Sequence, residues 1–499
     1  MPPRASVPPP RRDGWILGVV ALVIYGLLGQ RSFYKIDGEL FLWIYAHEGK
    51  GGGYHSFYPH LLALADLVTS PFGFTVFESA RALSAGGTAL GVVGFHAISR
   101  RAGLDRREAL LCSALCALCP AWMFFATIVE VHGSFMPFAA LGVYALVRLV
   151  QRPSDGLAVI AGLAIGVAYL AHPTGVLLIA QLPLVAMLVR RGPESEADAP
   201  RVRLLRHGAL VGLGSGLVVS TAPFVLEALD RGVAPSFPLR TLFATPGIAT
   251  DPQLWTDNFG GELFIPYAPL VLTSLIALFL PATRRAAAWL WFAIVPYMIV
   301  SQLLILHGGE HGAYLLPVAW SMAVLALPLL RGRSLVIATL LVLSAAWGTA
   351  RILKHDNPEP PTAYAEGFRD IAGERPVIAI GQQLDFAAHF LHLHDVQTIF
   401  IGKVVLIRDE SGVQRFLSDL DRALADYARA GRRAFLSKGA FESLEIASRT
   451  GEWPIMIRPD FRVKGDARGP RALRQRLTEV YRLEPVAAKG FEGFEILPR

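Results

Sequence analysis

Long apolar runs separated by short polar stretches occupy the chain from Trp15 to about residue 350. Eleven of them, at 14–30, 76–99, 109–127, 133–150, 156–172, 174–190, 209–227, 266–282, 286–306, 314–330 and 334–350, are long enough to cross a bilayer core as helices. After Arg351 the pattern changes. A Pro-rich joint, Asn357-Pro358-Glu359-Pro360-Pro361, leads into shorter runs. Pro376–Gly381 (PVIAIG) reads as a buried strand, a helical pattern follows through Leu393, and Thr398–Gly402 reads as a second strand. Val413–Ala430 is an amphipathic helix, and Arg433–Leu436, Tyr481–Val486 and Phe494–Leu497 are further strands. Alternating strands and helices predict a small α/β domain. The expected fold is therefore a multi-pass α-helical membrane domain over 1–351 with a small α/β domain over 352–499.

The basic residues orient this arrangement. Arg11-Arg12, Arg100-Arg101 with Arg106-Arg107, Arg152, Arg190-Arg191 with Arg201, Arg203 and Arg206, Arg284-Arg285, and Arg331 with Arg333 all fall in loops on one side. The intervening turns near 128–132, 173 and 307–313 contain no Lys or Arg. By the positive-inside rule the N-terminus is cytoplasmic, and an odd number of spans places the C-terminal domain outside the cytoplasm, as in a bacterial inner-membrane protein. The rule also decides a local question. Phe57–Phe74 is apolar enough to cross, but a span there would turn every later arginine loop outward. Segments 40–47 and 57–72 are therefore expected as short helices lying on the outer interface, within a first outer loop at 31–75.

Composition agrees. The 499 residues are 53% hydrophobic and 17% charged, against about a quarter charged in soluble domains. The net charge of +7 comes mainly from arginines beside apolar runs, which reads as topology and excludes a nucleic-acid partner. Cys112, Cys116 and Cys119 fall on one face of a single apolar run and read as packing. Gly29-Gln30-Arg31 is a poor cleavage site, so the first run reads as an uncleaved span.

Polar residues with chemical potential gather in the outer loops. Asp37 and Glu39 follow the first span, with Gly38 between them. A carboxylate near the interface, partly desolvated, becomes a better base for a hydroxyl proton. Its neighbour can orient the acceptor or a metal. Glu130 and His132 sit in the next short outer turn beside Phe124, Phe125 and Phe135, where an acid is costly without a partner. His172-Pro173-Thr174 forms another outer turn. Glu78 and Arg81 stand three apart on one helical face and can pair; Arg81 can instead hold a lipid phosphate. The outer segment 228–265 contributes Arg240, Asp257, Asn258 and Glu262, with Arg240 a phosphate-binding candidate. His307-Gly308-Gly309-Glu310-His311 matches the letters of a zinc-peptidase motif, but two glycines at a span end do not make the helix that motif needs. It reads as a polar lid over the outer cavity. His47, His55 and His60 are further outer histidines.

The layout resembles the GT-C superfamily of membrane glycosyltransferases, and within it the protein O-mannosyltransferase-like branch. Four pieces carry the resemblance. Asp37-Gly38-Glu39-Leu40 with Tyr54-His55-Ser56-Phe57-Tyr58-Pro59 resembles that branch's first outer loop. Val129-Glu130-Val131-His132 resembles its A-E-V-Y turn, with His132 where Tyr is usual. Gly162–Thr174 resembles its G-L-x-x-x-x-H-x-T element, and Glu310–Pro317 (EHGAYLLP) its E-H-R-Y-x-x-P element. Two departures stand out. The spacing of the first two acids is shorter by one, and Gly312-Ala313 occupy the place of an Arg expected to hold the donor phosphate.

The resemblance implies a single displacement on a polyprenyl-phosphate-linked sugar, a mannose-type hexose favoured, with an acceptor hydroxyl on a protein, lipid or glycan. Asp37 or Glu39 is the implied base. Glu130, His132, His172, His55 and Tyr58 would shape the sugar pocket, and Arg81, Arg240 or Lys35 would hold the phosphate. No cofactor is assigned, and a divalent metal stays open. Two other classes compete. A transporter or flippase of an amphiphilic substrate needs ionisable residues deep within broken spans, whereas the acids here cluster at the outer edge. A non-catalytic binder of lipid-linked sugar is the third reading, kept by the missing Arg.

Overall fold

The computed structural model describes residues 11–33, 38, 41–42, 45, 57–189, 200–228, 252, 255–256, 259–304, 312–356, 359–373, 376–380, 396–407, 409–454, 462–488 and 490–499. The chain divides into two compact units, Met1–Arg31 with Ile44–Asp356, and Ser32–Trp43 with Asn357–Arg499.

The first unit is helical. Its α-helices run α1 Arg11–Leu27, α2 Tyr58–Thr69, α3 Val76–Arg101, α4 Arg106–Ala117, α5 Pro120–Ala126, α6 Val131–Gln151, α7 Asp155–Ala171, α8 Leu182–Leu188, α9 Pro200–Ala228, α10 Ile265–Phe279, α11 Arg284–Leu304, α12 Ala319–Leu330 and α13 Ser334–His355. Each expected span contains helix. Among the described residues five helical stretches are long and apolar enough to cross a membrane, and six if the bent α4–α5 pair counts as one.

Starts are written locally. Thr75 and Glu78 form a reciprocal capping box at α3, as do Asp105 and Glu108 at α4. Each pair satisfies donors that the first helical turn would otherwise leave unpaired.

Three expected spans are not single straight helices. The run 109–127 bends by 61° between α4 and α5, where Pro120 opens α5 and cannot continue the preceding hydrogen-bond ladder. The run 174–190 begins as a 3-10 helix, Pro173–Gln181, before α8. Nine residues is long for that geometry. Gly175 explains part of it: a Cβ there would meet Ala168 backbone at 2.4 Å, so the chain turns back directly onto the end of α7. The run 266–282 is preceded by a π-helical turn, Phe259–Phe264, and kinks at Tyr267 (φ −122°, ψ 18°) within α10.

The segment 57–72 is a short helix, as its placement requires. At 12 residues, α2 is about 18 Å long and cannot cross a core of ~30 Å. Tyr58 and Leu62 are buried while Leu64, Leu67 and Val68 are exposed, leaving one apolar face outward. Of the expected helix at 40–47, Phe41, Leu42 and Tyr45 are described and helical.

Helices α3 and α6 meet through small residues. A Cβ on Gly87 would lie 2.5 Å from Gly133 O, one on Gly91 2.8 Å from Met136 Cβ, and one on Gly94 2.7 Å from Ala140 Cβ. Both numbers rise together, so the two helices run parallel at close approach, a packing that small residues permit where both partners are apolar. The three cysteines are buried and unpaired to one another; Cys119 lies against the Pro266 carbonyl at 3.5 Å.

The second unit contains a five-stranded sheet. Strands β1 Val377–Ile380, β2 Gln397–Phe400, β3 Ala434–Ser437, β6 Tyr481–Ala488 and β7 Phe491–Pro498 stand in the order β2-β1-β3-β7-β6. β1 is parallel to β2 and β3, while β7 is antiparallel to β3 and β6. β4 Glu452–Pro454 and β5 Arg462–Lys464 pair separately. Helix α14, Glu359–Ala372, seals one side, its Phe368 ring 5.0 Å from Phe435 and 4.9 Å from Phe491. Helices α15 Glu410–Arg429, α16 Lys438–Thr450 and α17 Arg468–Glu479 share a second core around Leu420, Leu444, Leu473 and Trp453.

The Pro-rich joint expected at 357–361 is in part the start of α14. Proline is tolerated in a first helical turn because its missing N–H has no partner to lose. The helical pattern expected through Leu393 lies outside the described residues.

Candidate functional site

Asp37, Glu39, Lys35, His55 and Arg240 lie outside the described residues, as do His47, Asp257, Asn258, His307, Glu310 and His311. Tyr58, Arg81, Glu130, His132 and His172 are described, and four of these five come together.

Glu130 is the N-cap of α6. It is extended (φ −163°, ψ 155°), and its Oε1 accepts the Val131 N–H at 2.8 Å. A carboxylate suits this place because the helix N-terminus carries unpaired donors and partial positive charge. Its own carbonyl accepts the Ser84 hydroxyl at 3.0 Å, tying the turn to α3. The residue is 3% exposed. His132 Nδ1 stands 3.4 Å from Glu130 Oε1, and the His132 side chain is also buried. Neither ring nitrogen of His132 makes a hydrogen bond with a described residue.

His172 ends α7. The Thr174 backbone N–H donates to its Nδ1 at 3.2 Å, and Thr174 Oγ1 lies 2.6 Å from the same nitrogen. With Nδ1 accepting, the neutral ring carries its proton on Nε2, an assignment made from the hydrogen-bond network. Pro173 and the close packing of Gly175 hold this turn in place.

Three aromatic rings complete the cluster. His132 and His172 have centroids 4.5 Å apart, and Tyr314 stands 5.8 Å from the first and 5.6 Å from the second. Phe125 lies 5.0 Å from His132 and Phe135 5.5 Å from His172, closing the apolar side. Tyr58 enters from α2, whose start is fixed by Phe57 against Phe138 at 5.8 Å. Burial and then the Glu130 carboxylate push the Tyr58 phenol up, so it stays a protonated donor.

Two further polar groups frame the cluster. Glu262 is buried in the π-turn before α10, and its Oε2 accepts the Gly312 N–H at 3.0 Å. Gly312 has φ +88°, a Cβ there would meet the Tyr267 ring at 2.6 Å, and Tyr267 donates to its carbonyl at 2.5 Å. The Gly312-Ala313 departure from the expected Arg is thus a tight backbone turn that aims Tyr314. Asp66 on α2 accepts the Ser79 hydroxyl at 2.9 Å and the Tyr45 hydroxyl at 3.3 Å. It joins α2, α3 and the first loop.

Arg81 is placed elsewhere. Its Nη1 donates to the carbonyls of Gln30 at 3.3 Å and Gly29 at 3.5 Å, at the exit of α1. The expected Glu78 pair is replaced by the capping box, in which Glu78 Oε2 accepts the Thr75 N–H at 2.7 Å. Gln30 is fully buried and bonds Thr127 Oγ1 at 2.9 Å and His355 Nδ1 at 2.7 Å. Arg351 lies over the Phe124 ring at 5.4 Å. A second polar knot therefore surrounds the chain just before the segment that carries Asp37 and Glu39.

Sequence reasoning missed Thr174, Tyr314, Asp66, Gln30 and His355 as site or framing residues. Thr174 and Tyr314 stood inside quoted motifs. Asp66 was legible as an acid on an otherwise apolar interfacial helix. Among the described residues no group of three His, Cys, Asp or Glu side chains is placed to hold a metal.

Residues 57–200 match the family model described as dolichyl-phosphate-mannose-protein mannosyltransferase. No curated protein matches the chain by sequence. Among solved structures, ArnT from Cupriavidus metallidurans bound to undecaprenyl phosphate is similar at 16% identity and TM-score 0.54, covering 97% of this chain and 98% of that one. The apo state of the same protein gives 15% identity and TM-score 0.55 over 96% and 97%. Two of the four motifs and the end of the first thus fall within a family match over 57–200, and the chain shares the fold of the ArnT structures along nearly its whole length.

Proposed function

We propose that this chain is a GT-C-type membrane glycosyltransferase that moves a sugar from a polyprenyl-phosphate donor to an acceptor hydroxyl at the outer face of the membrane. One observation carries the reading. Parts of all four motif segments, represented by Tyr58, Glu130 with His132, His172 with Thr174, and Tyr314, are built around one end of the helical unit, and His132, His172 and Tyr314 are in ring contact. The family model over 57–200 spans two of these segments and the end of the first, with Tyr58, and the bound ligand of the similar ArnT structure is a polyprenyl phosphate, the lipid part of the expected donor.

In this reading all eleven runs cross the membrane, the N-terminus is cytoplasmic, and the α/β domain from 352 onward lies outside. Asp37 or Glu39 takes the acceptor proton as its oxygen attacks the anomeric carbon, and the polyprenyl phosphate leaves. The transition state has oxocarbenium character. The leaving phosphate is already stable as an anion, so the protein has to supply a base, a cation and proximity. His132, whose two buried ring nitrogens make no hydrogen bond with a described residue, and His172 beside it bring imidazole nitrogens to the place proposed for sugar hydroxyls. Lys35, Arg81 and Arg240 are the cations proposed for the phosphate, with a mannose-type hexose as the favoured sugar and a protein, lipid or glycan as acceptor.

The test is transfer by the purified full-length protein from labelled polyprenyl-phosphate sugars to a membrane extract, beside Asp37→Asn and Glu39→Gln forms. The expected outcome is transfer by the parent and loss in at least one variant. Transfer untouched by both substitutions removes the catalytic assignment. Transport of a donor without transfer replaces the enzyme by a flippase.

A further inference from the structure

The end of the helical unit opposite Glu130 and His172 is rich in arginines, and several of them, mostly exposed ones, are matched. Arg106 binds Asp13 with two hydrogen bonds, Arg331 binds Glu108, Arg206 binds Asp155, and Arg100 donates to the Leu104 carbonyl. Arg101 and Arg148 break this pattern. Each keeps its Nε–H away from solvent without a hydrogen-bond acceptor among the described residues, and neither forms an ion pair with one of them.

Their positions follow from the parallel contact of α3 and α6. The register of 87 with 133, 91 with 136 and 94 with 140 runs on to place Arg101 beside Arg148. Tyr144 is one turn earlier on the same face as Arg148, and Arg152 follows directly after α6. Arg101 is within electrostatic reach of Arg148, Arg152 and Tyr144. Gln151 fastens this corner by donating to the Arg101 carbonyl. Helix C-termini favour nearby cations. That explains one arginine at each end, but supplies no acceptor for a buried Nε–H and does not offset the mutual repulsion of three guanidiniums.

We propose that Arg101, Arg148 and Arg152 form a binding site for a phosphate-bearing anionic group, with Tyr144 as its aromatic wall and hydroxyl donor. Guanidinium forks match phosphate oxygens, and such charge-assisted bonds are the strong ones. Glu130 and Arg148 are 18 positions apart on α6, about 27 Å at ~1.5 Å per residue. That is close to a bilayer core of ~30 Å, so the site lies at the membrane surface away from the sugar pocket. The inference rests on the proposed function only for which leaflet that is, and its test involves no sugar transfer.

The same chemistry can come from a phospholipid headgroup or from free phosphate. Full-length protein in phosphatidylcholine nanodiscs is melted alone, with phosphatidylglycerol in the bilayer, and with inorganic phosphate in solution. Stabilisation by phosphatidylglycerol alone identifies a lipid headgroup, and stabilisation by phosphate as well identifies phosphate independent of its carrier. Stabilisation by neither overturns the site. Native mass spectrometry then compares phosphatidylglycerol retention in the parent, Arg101→Gln with Arg148→Gln, and Arg106→Gln. Retention should fall about tenfold or more in the double variant and hold in Arg106→Gln, whose partner is Asp13. Equal loss in both, or no loss in either, overturns the proposal. Where the double variant does not fold, Arg152→Gln, exposed and outside the helix, is set against Arg106→Gln; equal retention by those two overturns the site.

Discussion

His132 and His172 lie with ring centroids 4.5 Å apart although they belong to different turns, one after the first residue of α6 and one at the end of α7. Their protonation roles differ. His172 has Nδ1 fixed as an acceptor by the Thr174 N–H, whereas His132 has Glu130 Oε1 at 3.4 Å and no hydrogen bond from its ring to a described residue. The rings are tilted by 44° to one another, and in the proposed function they would face hydroxyls of one sugar ring.

Thr174→Val tests the first of these roles. It removes the hydroxyl at 2.6 Å from Nδ1 while leaving the backbone N–H. The ring keeps its tautomer but loses part of its anchoring. Transfer should fall about tenfold, in line with one lost hydrogen bond, mostly through KM for the donor. A variant with unchanged kinetics would show that the pair is packing.

Glu130 does two jobs that substitutions can separate. Glu130→Ala removes the cap on Val131 and should cost about 1 kcal/mol of stability. Glu130→Gln keeps an oxygen for the cap and loses the charge beside His132. It should melt near the parent yet transfer at least about tenfold more slowly. Transfer by the Gln form equal to that of the parent would remove the charge from the account.

Asp66 is expected to act through position. It bonds Ser79 on α3 and Tyr45 in the first loop. Asp66→Asn retains one acceptor and should be mild. Asp66→Ala should release α2 and raise hydrogen exchange in Tyr58–Thr69, with transfer falling alongside. Protection of α2 unchanged in the Ala form would refute the anchoring role.

Much of this architecture was legible because membrane spans are read from length and apolarity, and those signals are local. The breaks were harder. Pro120 and Gly175 announce them only when their contacts are known, since the bend at Pro120 and the 2.4 Å approach of Gly175 to Ala168 depend on packing. In the α/β unit, β1, β2 and α15 were visible as patterns, while α16 and α17 were not. α16 does carry its own punctuation: Ser437 Oγ accepts the Ala440 N–H at 3.1 Å, and Gly451 closes the helix at φ +72°. At the site, Glu130, His132 and His172 could be found as polar residues in apolar turns. Tyr314 could not, because its role comes from a Gly312 turn held by Glu262, far away in sequence.

The contact of α3 with α6 makes a clean packing prediction. Gly87→Ala puts a methyl 2.5 Å from Gly133 O and 2.8 Å from Ser134 Cα, where backbone has to move. Overpacking of this kind costs about 1–3 kcal/mol. It should also slacken the neighbouring Ser84 bond to Glu130 and lower transfer. Gly86→Ala next to it meets nothing within 4 Å, and should be neutral or slightly stabilising because alanine favours helix. Melting temperatures of the two variants in one detergent decide the matter, and equal melting would mean that the helices are not in this register.

The α/β unit should lose order in mild acid through one bridge. Arg433 Nε donates to Glu495 Oε1 at 2.7 Å, linking β3 to β7. The hydrogen bond from Arg433 holds the Glu495 carboxyl below the ordinary glutamate range, with burial opposing it. A carboxyl depressed in the folded state stabilises fully above its unfolded value, about 4.3. That contribution disappears as pH falls through the lower folded value. Arg433 is nearly half exposed, so the effect is discounted to below about 1 kcal/mol. Hydrogen-exchange protection of Ala434–Ser437, corrected for intrinsic rates, should therefore drop between pH 6 and pH 3.5 in the parent. Arg433→Gln should start lower at pH 6 and change less. An identical drop in both forms would assign the acid sensitivity to other carboxylates.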